Sequence, residues 1–205
     1  MVLWKPLNEE NEPTVPRPNS QRRDLLADAS IGVLAAQGSH GLTHRAVDAA
    51  AGVPAGTTSR YFRTRQALIT GIVERFMTRL DERVAAQVVR PLEPADLEQA
   101  LVTVLTSMVT DLSDEPLALF ELHLVGTRDV AVRRVLAGAL ARRRALIVEQ
   151  CVAAGIAISD EDAEVLEMGV LGIVFTGLTT GSLVDTGSAT RVLVRGVLGR
   201  YPVGG

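Results

Sequence analysis

Apolar residues along this chain recur every three or four positions, the period of a helix that buries one face. Leu26, Ala29, Val33 and Ala36 form the first such stripe and predict a helix from about Ser20, stopped by Gly38. Val47, Ala50 and Ala51 form a shorter one. Thr43 stands before it as a residue whose hydroxyl can accept a first-turn amide, and Gly52 follows it as a residue that turns left-handed at little cost. Pro54 suits the first turn of the next helix, read as Pro54 to Phe62. Leu68, Ile72, Phe76 and Leu80 mark a long helix from Arg65 to Val89, capped by Thr64 and ended by Pro91 and Pro94. The pattern continues as helices over 95–112, 117–125 and 129–154, the last closed by Gly155. Ser159 with Asp160, Glu161 and Asp162 opens another, which runs through Leu178, and a final one covers 189–198. No stretch reads as a strand. The fold class expected is all-α, with about nine helices.

The segment Pro54 to Phe62 breaks the pattern in an informative way. Its residues are Ala55, Gly56, Thr57, Thr58, Ser59 and Arg60, then Tyr61 and Phe62. So few apolar side chains cannot serve mainly to fill a core. Small residues allow close approach to a groove, and an arginine can reach a base or a phosphate. Charge adds to this picture. Residues 21–65 hold six arginines (Arg22, Arg23, Arg45, Arg60, Arg63, Arg65) against Asp24, Asp28 and Asp48, a surplus of +3 in a chain of net charge −3. A basic segment in an acidic chain suits contact with phosphates, although an ordinary solvated face would carry the same charges. Arg22 and Arg23, in a first turn that disfavours positive charge, read equally as phosphate ligands or as surface residues.

These residues together resemble the DNA-binding domain of the tetracycline-repressor (TetR) family. The resemblance lies in Thr43, the Ala51-Gly52-Val53 turn, Gly56-Thr57, Tyr61-Phe62, Arg65 and Ala67-Leu68, and covers about Gln21 to Phe76. It implies a three-helix helix-turn-helix head at 20–63, behind an extended arm at 1–19, and a ligand-binding and dimerisation body at 64–205. It implies that Thr43, His44, Tyr61 and Arg65 lie along the DNA backbone. Arg45, Ala55, Gly56, Thr57, Ser59 and Arg60 would then face base edges, with Arg45 and Arg60 suited to guanine. The partners implied are near-palindromic operator DNA and a small-molecule effector, with repression the expected mode. The effector site is expected inside the body, lined by Leu105, Met108, Phe120, His123, Leu124, Met168, Phe175 and Thr176. Each of these is also a plain choice for a bundle core. The last two helices are apolar on more than one side and are expected to bury that surface against a second copy, with Gly169, Gly172 and Gly177 allowing close approach.

Other chemistry is missing from the sequence. There is no phosphate-binding glycine loop, no Cys/His spacing for a metal and no nucleophile motif, so neither enzyme activity nor a cofactor is expected. Cys151 is the single cysteine, which fits a reducing cytoplasm. The most apolar stretch, Met168 to Val184, is broken by four glycines and is not read as a membrane span. Ala55 and Ser59 are smaller than the residues the family often carries there. They support one alternative, an all-α ligand-binding or enzymatic protein whose head no longer binds DNA.

Overall fold

The computed structural model describes residues 18–87, 99–100, 102–103, 106, 114–180 and 185–201. It is all-helical, and no strand occurs among the described residues. Eight helices have described bounds: α1 (Pro18–Gly41), α2 (His44–Ala50), α3 (Thr57–Tyr61), α4 (Arg65–Gln87), α5 (Glu115–Gly126), α6 (Val130–Ala153), α7 (Asp160–Thr180) and α8 (Thr186–Leu198). The five described residues between 99 and 106 are helical too, within the helix predicted over 95–112. The arm expected at 1–19 lies outside the described residues except for its last two, which open α1. Leu105 and Met108 of the expected effector site also lie outside them.

Local chemistry explains most boundaries. Gly38 sits at φ 65°, ψ −175° and interrupts α1 where the apolar stripe stops. The Thr43 hydroxyl accepts the Ala46 amide at 3.1 Å, and Thr64 does the same for Ala67 at 3.0 Å. Asp129 opens α6 by accepting from Ala131 and Val132. Two helix starts differ from the prediction by three residues. α3 begins three residues later, because Gly56 stands at φ 86° and acts as its N-cap, leaving Pro54 and Ala55 in the turn. α8 begins at Thr186 because Asp185 accepts the Ser188 amide at 2.8 Å.

The first core joins the head to the upper body. Leu26, Leu34, Val47, Phe62, Leu68, Ile72, Leu122 and Val132 are all buried in it. Each such side chain contributes about 1.5–3 kcal/mol by leaving water. α1 packs against α2, α4 and α5 alike, so it belongs to both halves. Phe62 packs on α4 at Gly71, where a Cβ would come within 2.3 Å of its ring. The Arg23 guanidinium lies over that ring, 5.0 Å from its centroid. A second core, with Cys151, Leu166, Val194 and Val197, packs α6, α7 and α8 together.

Three consecutive arginines on α6 tie the body laterally. Arg142 pairs with Asp81 of α4, Arg143 with Glu167 of α7 at 2.8 Å, and Arg144 with Glu164 at 3.2 Å. Among the described residues α7 is the one helix long and apolar enough, by length and composition, to cross a membrane. The helix starts at Asp160, as its acidic first turn predicts, and the glycine-broken stretch from Met168 forms its second half. Three of its five acidic residues are held by neighbours: Glu164 and Glu167 by arginines of α6, and Asp162 by Arg200 and Tyr201. Gly169 serves packing inside the chain, because a Cβ there would lie 2.6 Å from Leu193 of α8. It therefore faces the chain's own last helix instead of a partner, whereas Gly172 has nothing within 4 Å.

Candidate DNA-binding face and body cleft

α2 and α3 meet through a turn set by one buried carboxylate. Asp48 accepts the Gly56 amide at 2.7 Å, the Thr58 amide at 2.7 Å and the Thr58 hydroxyl at 2.6 Å. It thus caps α3 from the neighbouring helix, where Gly56 has no side chain to do so. Burial raises the Asp48 carboxyl, but the Thr58 and Gly56 bonds and the nearby His44 outweigh it and hold the group below the usual carboxylate range. Neither Asp48 nor its partner Thr58 stood among the residues expected at the site. Their contact spans ten positions and no local pattern reveals it.

The cap presents an open face. Thr43, Arg45, Ala55, Gly56, Ser59, Arg60 and Arg65 are exposed, and His44, Thr57 and Tyr61 are half-buried. Arg45 and Arg60 have no ion pair or side-chain hydrogen bond among the described residues, so both guanidinium groups are uncommitted. The Thr57 hydroxyl donates to Pro54 O at 2.6 Å and the Ser59 hydroxyl to Gly56 O at 2.9 Å. Both oxygens keep lone pairs with which to accept from a base edge. His44 Nε2 is buried without a partner among the described residues. Arg65 differs from the other arginines: it donates to Leu42 O at 2.8 Å and Ser39 O at 2.7 Å, tying the start of α4 to the end of α1.

Below the head, a chain of charges crosses from α1 to the body. Asp28 accepts from Arg75 Nε at 2.7 Å and pairs with Arg79 at 2.8 Å. Arg79 also reaches Glu115 of α5, whose other oxygen takes Arg83 at 2.9 Å. Glu121 adds a second link, accepting the Ser39 amide at 3.3 Å. Arg83 and Glu115 then form part of the wall of a cleft whose empty space, open solvent included, is about 600 Å³. The rest of its lining is almost wholly apolar: Phe76, Met77, Leu80, Pro116, Leu119, Phe120, Val170, Leu171 and Val174.

Of the residues expected in that site, Phe120 lines the cleft. His123 follows it, with ring centroids 6.3 Å apart, and Phe175 packs edge-on against Phe120 at 5.1 Å. Leu124, Met168 and Thr176 instead point to solvent, Leu124 and Met168 at 61% and 57% exposure. Helices α5 and α7 are apolar around much of their circumference, so spacing alone could not say which face turns inward. Among the described residues no group of three or more His, Cys, Asp or Glu could hold a metal ion.

A short helix displayed on a rigid turn, above a helical body with an apolar cleft, defines a ligand-responsive DNA-binding regulator. Comparisons with known proteins make the class specific. A family model described as the tetracyclin repressor-like C-terminal domain matches residues 92–200. The multidrug binding protein EbrR, solved in complex with imidazole, is 30% identical over 93% of this chain and 98% of its own, with a TM-score of 0.66. A TetR-family member from Streptomyces coelicolor A3 is 30% identical over 87% of this chain and 98% of its own, with a TM-score of 0.70. EbrR in complex with ethidium is 29% identical over 86% and 98%, with a TM-score of 0.69. No curated protein sequence matches the chain. The chain belongs to the tetracycline-repressor family of transcriptional regulators. Regulators of this family bind operator DNA and small molecules, form dimers and are generally not enzymes.

Proposed function

We propose that this protein is a cytoplasmic repressor that leaves its operator when a small, largely apolar molecule occupies the body cleft. The observation that carries the DNA half is the pair of uncommitted guanidinium groups, Arg45 and Arg60, beside the turn that Asp48 holds. Arg60 with Ala55, Gly56, Thr57 and Ser59 enters the major groove, while Thr43, His44 and Tyr61 lie against phosphates. Arg65 sets the angle between head and α4 as well as meeting the backbone. The head at 20–63 and the body at 64–205 are functional divisions, although the first apolar core spans both.

Two copies associate through α7 and α8. Support comes from apolar side chains left exposed there: Val165 at 42%, Met168 at 57%, Phe175 at 50%, Leu178 at 44% and Val192 at 72%. Such a patch is unusual on an isolated soluble chain, and an isologous contact would bury it twice over. The operator is then a near-palindrome with half-sites about 34–36 Å apart or somewhat more.

Ligand acts by population shift: it binds better to the state whose heads are wrongly spaced. The Asp28–Arg79–Glu115–Arg83 chain is the physical link, since its last two members border the cleft and its first lies on the head's α1. EbrR binds ethidium, malachite green and proflavin in its solved structures, which supports a broad apolar site here. A gel shift with the DNA flanking the coding gene tests the proposal. A retarded band that a cleft-binding compound abolishes supports it; no retarded band with any flanking fragment contradicts it.

A further inference from the structure

Among the described residues, Arg83 and Glu115 are the charged members of a cleft wall that is otherwise apolar. They do not offer a ligand the same thing. Glu115 has committed both oxygens to guanidinium groups, Oε1 to Arg79 and Oε2 to Arg83 Nη2 at 2.9 Å. Arg83 makes that one bond, and its other N–H groups have no partner among the described residues. Its side chain is 25% exposed, so a molecule in the cleft can reach it.

The charges around it favour an anion. Arg75, Arg79 and Arg83 recur every four residues along α4 and meet two carboxylates, Asp28 and Glu115. Asp24 and Glu82 act on Arg75, two turns of α4 away from Arg83. Other acids on the surrounding helices are engaged elsewhere. Asp81 pairs with Arg142, Glu167 with Arg143, and Glu121 accepts the Ser39 amide. Asp114 turns towards α1, where a Cβ on Gly32 would lie 3.4 Å from its Oδ2. None of these acids lines the cleft.

Resting on the reading of the body as the effector site, we propose that the cleft binds an amphipathic carboxylic acid. Its carboxylate accepts from the N–H groups of Arg83 that Glu115 leaves unused, and its apolar part lies against Phe76, Leu80 and Phe120. An ion-assisted hydrogen bond of this kind is roughly twice as strong as a neutral one. A few polar groups in an apolar enclosure are the usual form of a small-molecule site. A cation is disfavoured, because it meets Arg83 and finds Glu115 already bound twice. The same contact gives the acid a hold on the head. Its carboxylate competes with Glu115 for Arg83, at the end of the ion-pair chain that reaches Asp28 of α1.

The test is calorimetric titration of the full chain with three probes of nearly one shape: 2-naphthoate, the neutral 2-naphthamide and the cationic 2-naphthylmethylammonium. The wild-type protein is expected to bind 2-naphthoate about tenfold tighter than 2-naphthamide, with the cation weakest. In Arg83→Gln the ratio of acid to amide should fall to about threefold or less, while affinity for the amide changes little. Arg142→Gln removes an equal charge from outside the cleft and should keep the wild-type ratio. Equal affinities in the wild type, tightest binding of the cation, or no binding of any probe would overturn the proposal. So would a ratio unchanged in Arg83→Gln, or lowered as far in Arg142→Gln. The wild-type comparison needs no variant to fold. If all three probes bind equally and release operator DNA, the acid site fails and the effector reading stands. If 2-naphthoate shows the expected preference yet leaves the operator complex intact, the acid site stands and the effector reading fails.

Discussion

Asp48 organises the head from a position that its own sequence neighbourhood does not advertise. It satisfies two amides at the start of α3 and the buried Thr58 hydroxyl. Asp48→Ala strands those donors and should cost about 1–3 kcal/mol, read as a lower urea midpoint and weaker binding to every DNA. Its carboxyl titrates below the usual range, so its contribution is present above the unfolded value and disappears as pH falls through the folded one. The thermal unfolding midpoint of the wild type should therefore drop below about pH 4, and Asp48→Asn should flatten that slope. An identical acid slope in the variant would remove Asp48 as its source. Arginines of the face separate by partner. Arg60→Ala should relax preference at one position per half-site, by about 1–3 kcal/mol, in a binding-site selection. Arg65→Ala should weaken all sequences alike and reduce the salt slope by about 1. It should also lower the unfolding midpoint, because two backbone carbonyls lose their donor. Local signals made Thr43, Gly52 and Thr64 legible, since each acts within four residues. Asp48 acts eight and ten residues away, across a turn, and only the folded chain shows it.

Between elements, the informative feature is the charged chain from α1 to α5. Glu115 holds two arginines of α4 while its side chain is about 10% exposed. Glu115→Gln would leave Arg79 and Arg83 side by side with one formal partner fewer, at a cost of about 1–3 kcal/mol. A combined Glu115→Gln/Arg83→Met variant should lose less than the sum of the two single changes, since they share one network. The same double variant should bind operator but respond weakly to ligand; full release by ligand would show that coupling takes another route. Helix positions followed from periodicity, including the long α4, α6 and α7. The start of α3 did not, because Pro54 signals a first turn whereas the left-handed Gly56 and the distant Asp48 move that turn three residues on. Each member of the arginine run at 142–144 reaches a carboxylate of another helix. Sequence spacing identifies the charges but cannot place their partners 20 or 60 positions away.

For the whole molecule, the proposed dimer rests on the apolar face of α7 and α8. Met168→Asp with Phe175→Asp should give a monomer by light scattering at micromolar concentration, with its helical circular dichroism retained. Operator affinity should drop by several orders of magnitude as the second half-site is lost. A double variant that stays dimeric would move the interface elsewhere. The proposed effector site was the least legible feature. An all-round apolar helix hides which side faces the cleft: Phe120 lines it, whereas Leu124, Met168 and Thr176 are exposed.

The most direct measurement is equilibrium binding of the purified protein to the DNA flanking its coding gene, followed by fluorescence anisotropy across a salt series. The expected result is one dimer per near-palindromic site, bound about 10³-fold or more above random DNA of equal length. Log affinity should fall steeply with log salt concentration. Equal affinity for flanking and random DNA throughout the series would contradict a sequence-specific regulator.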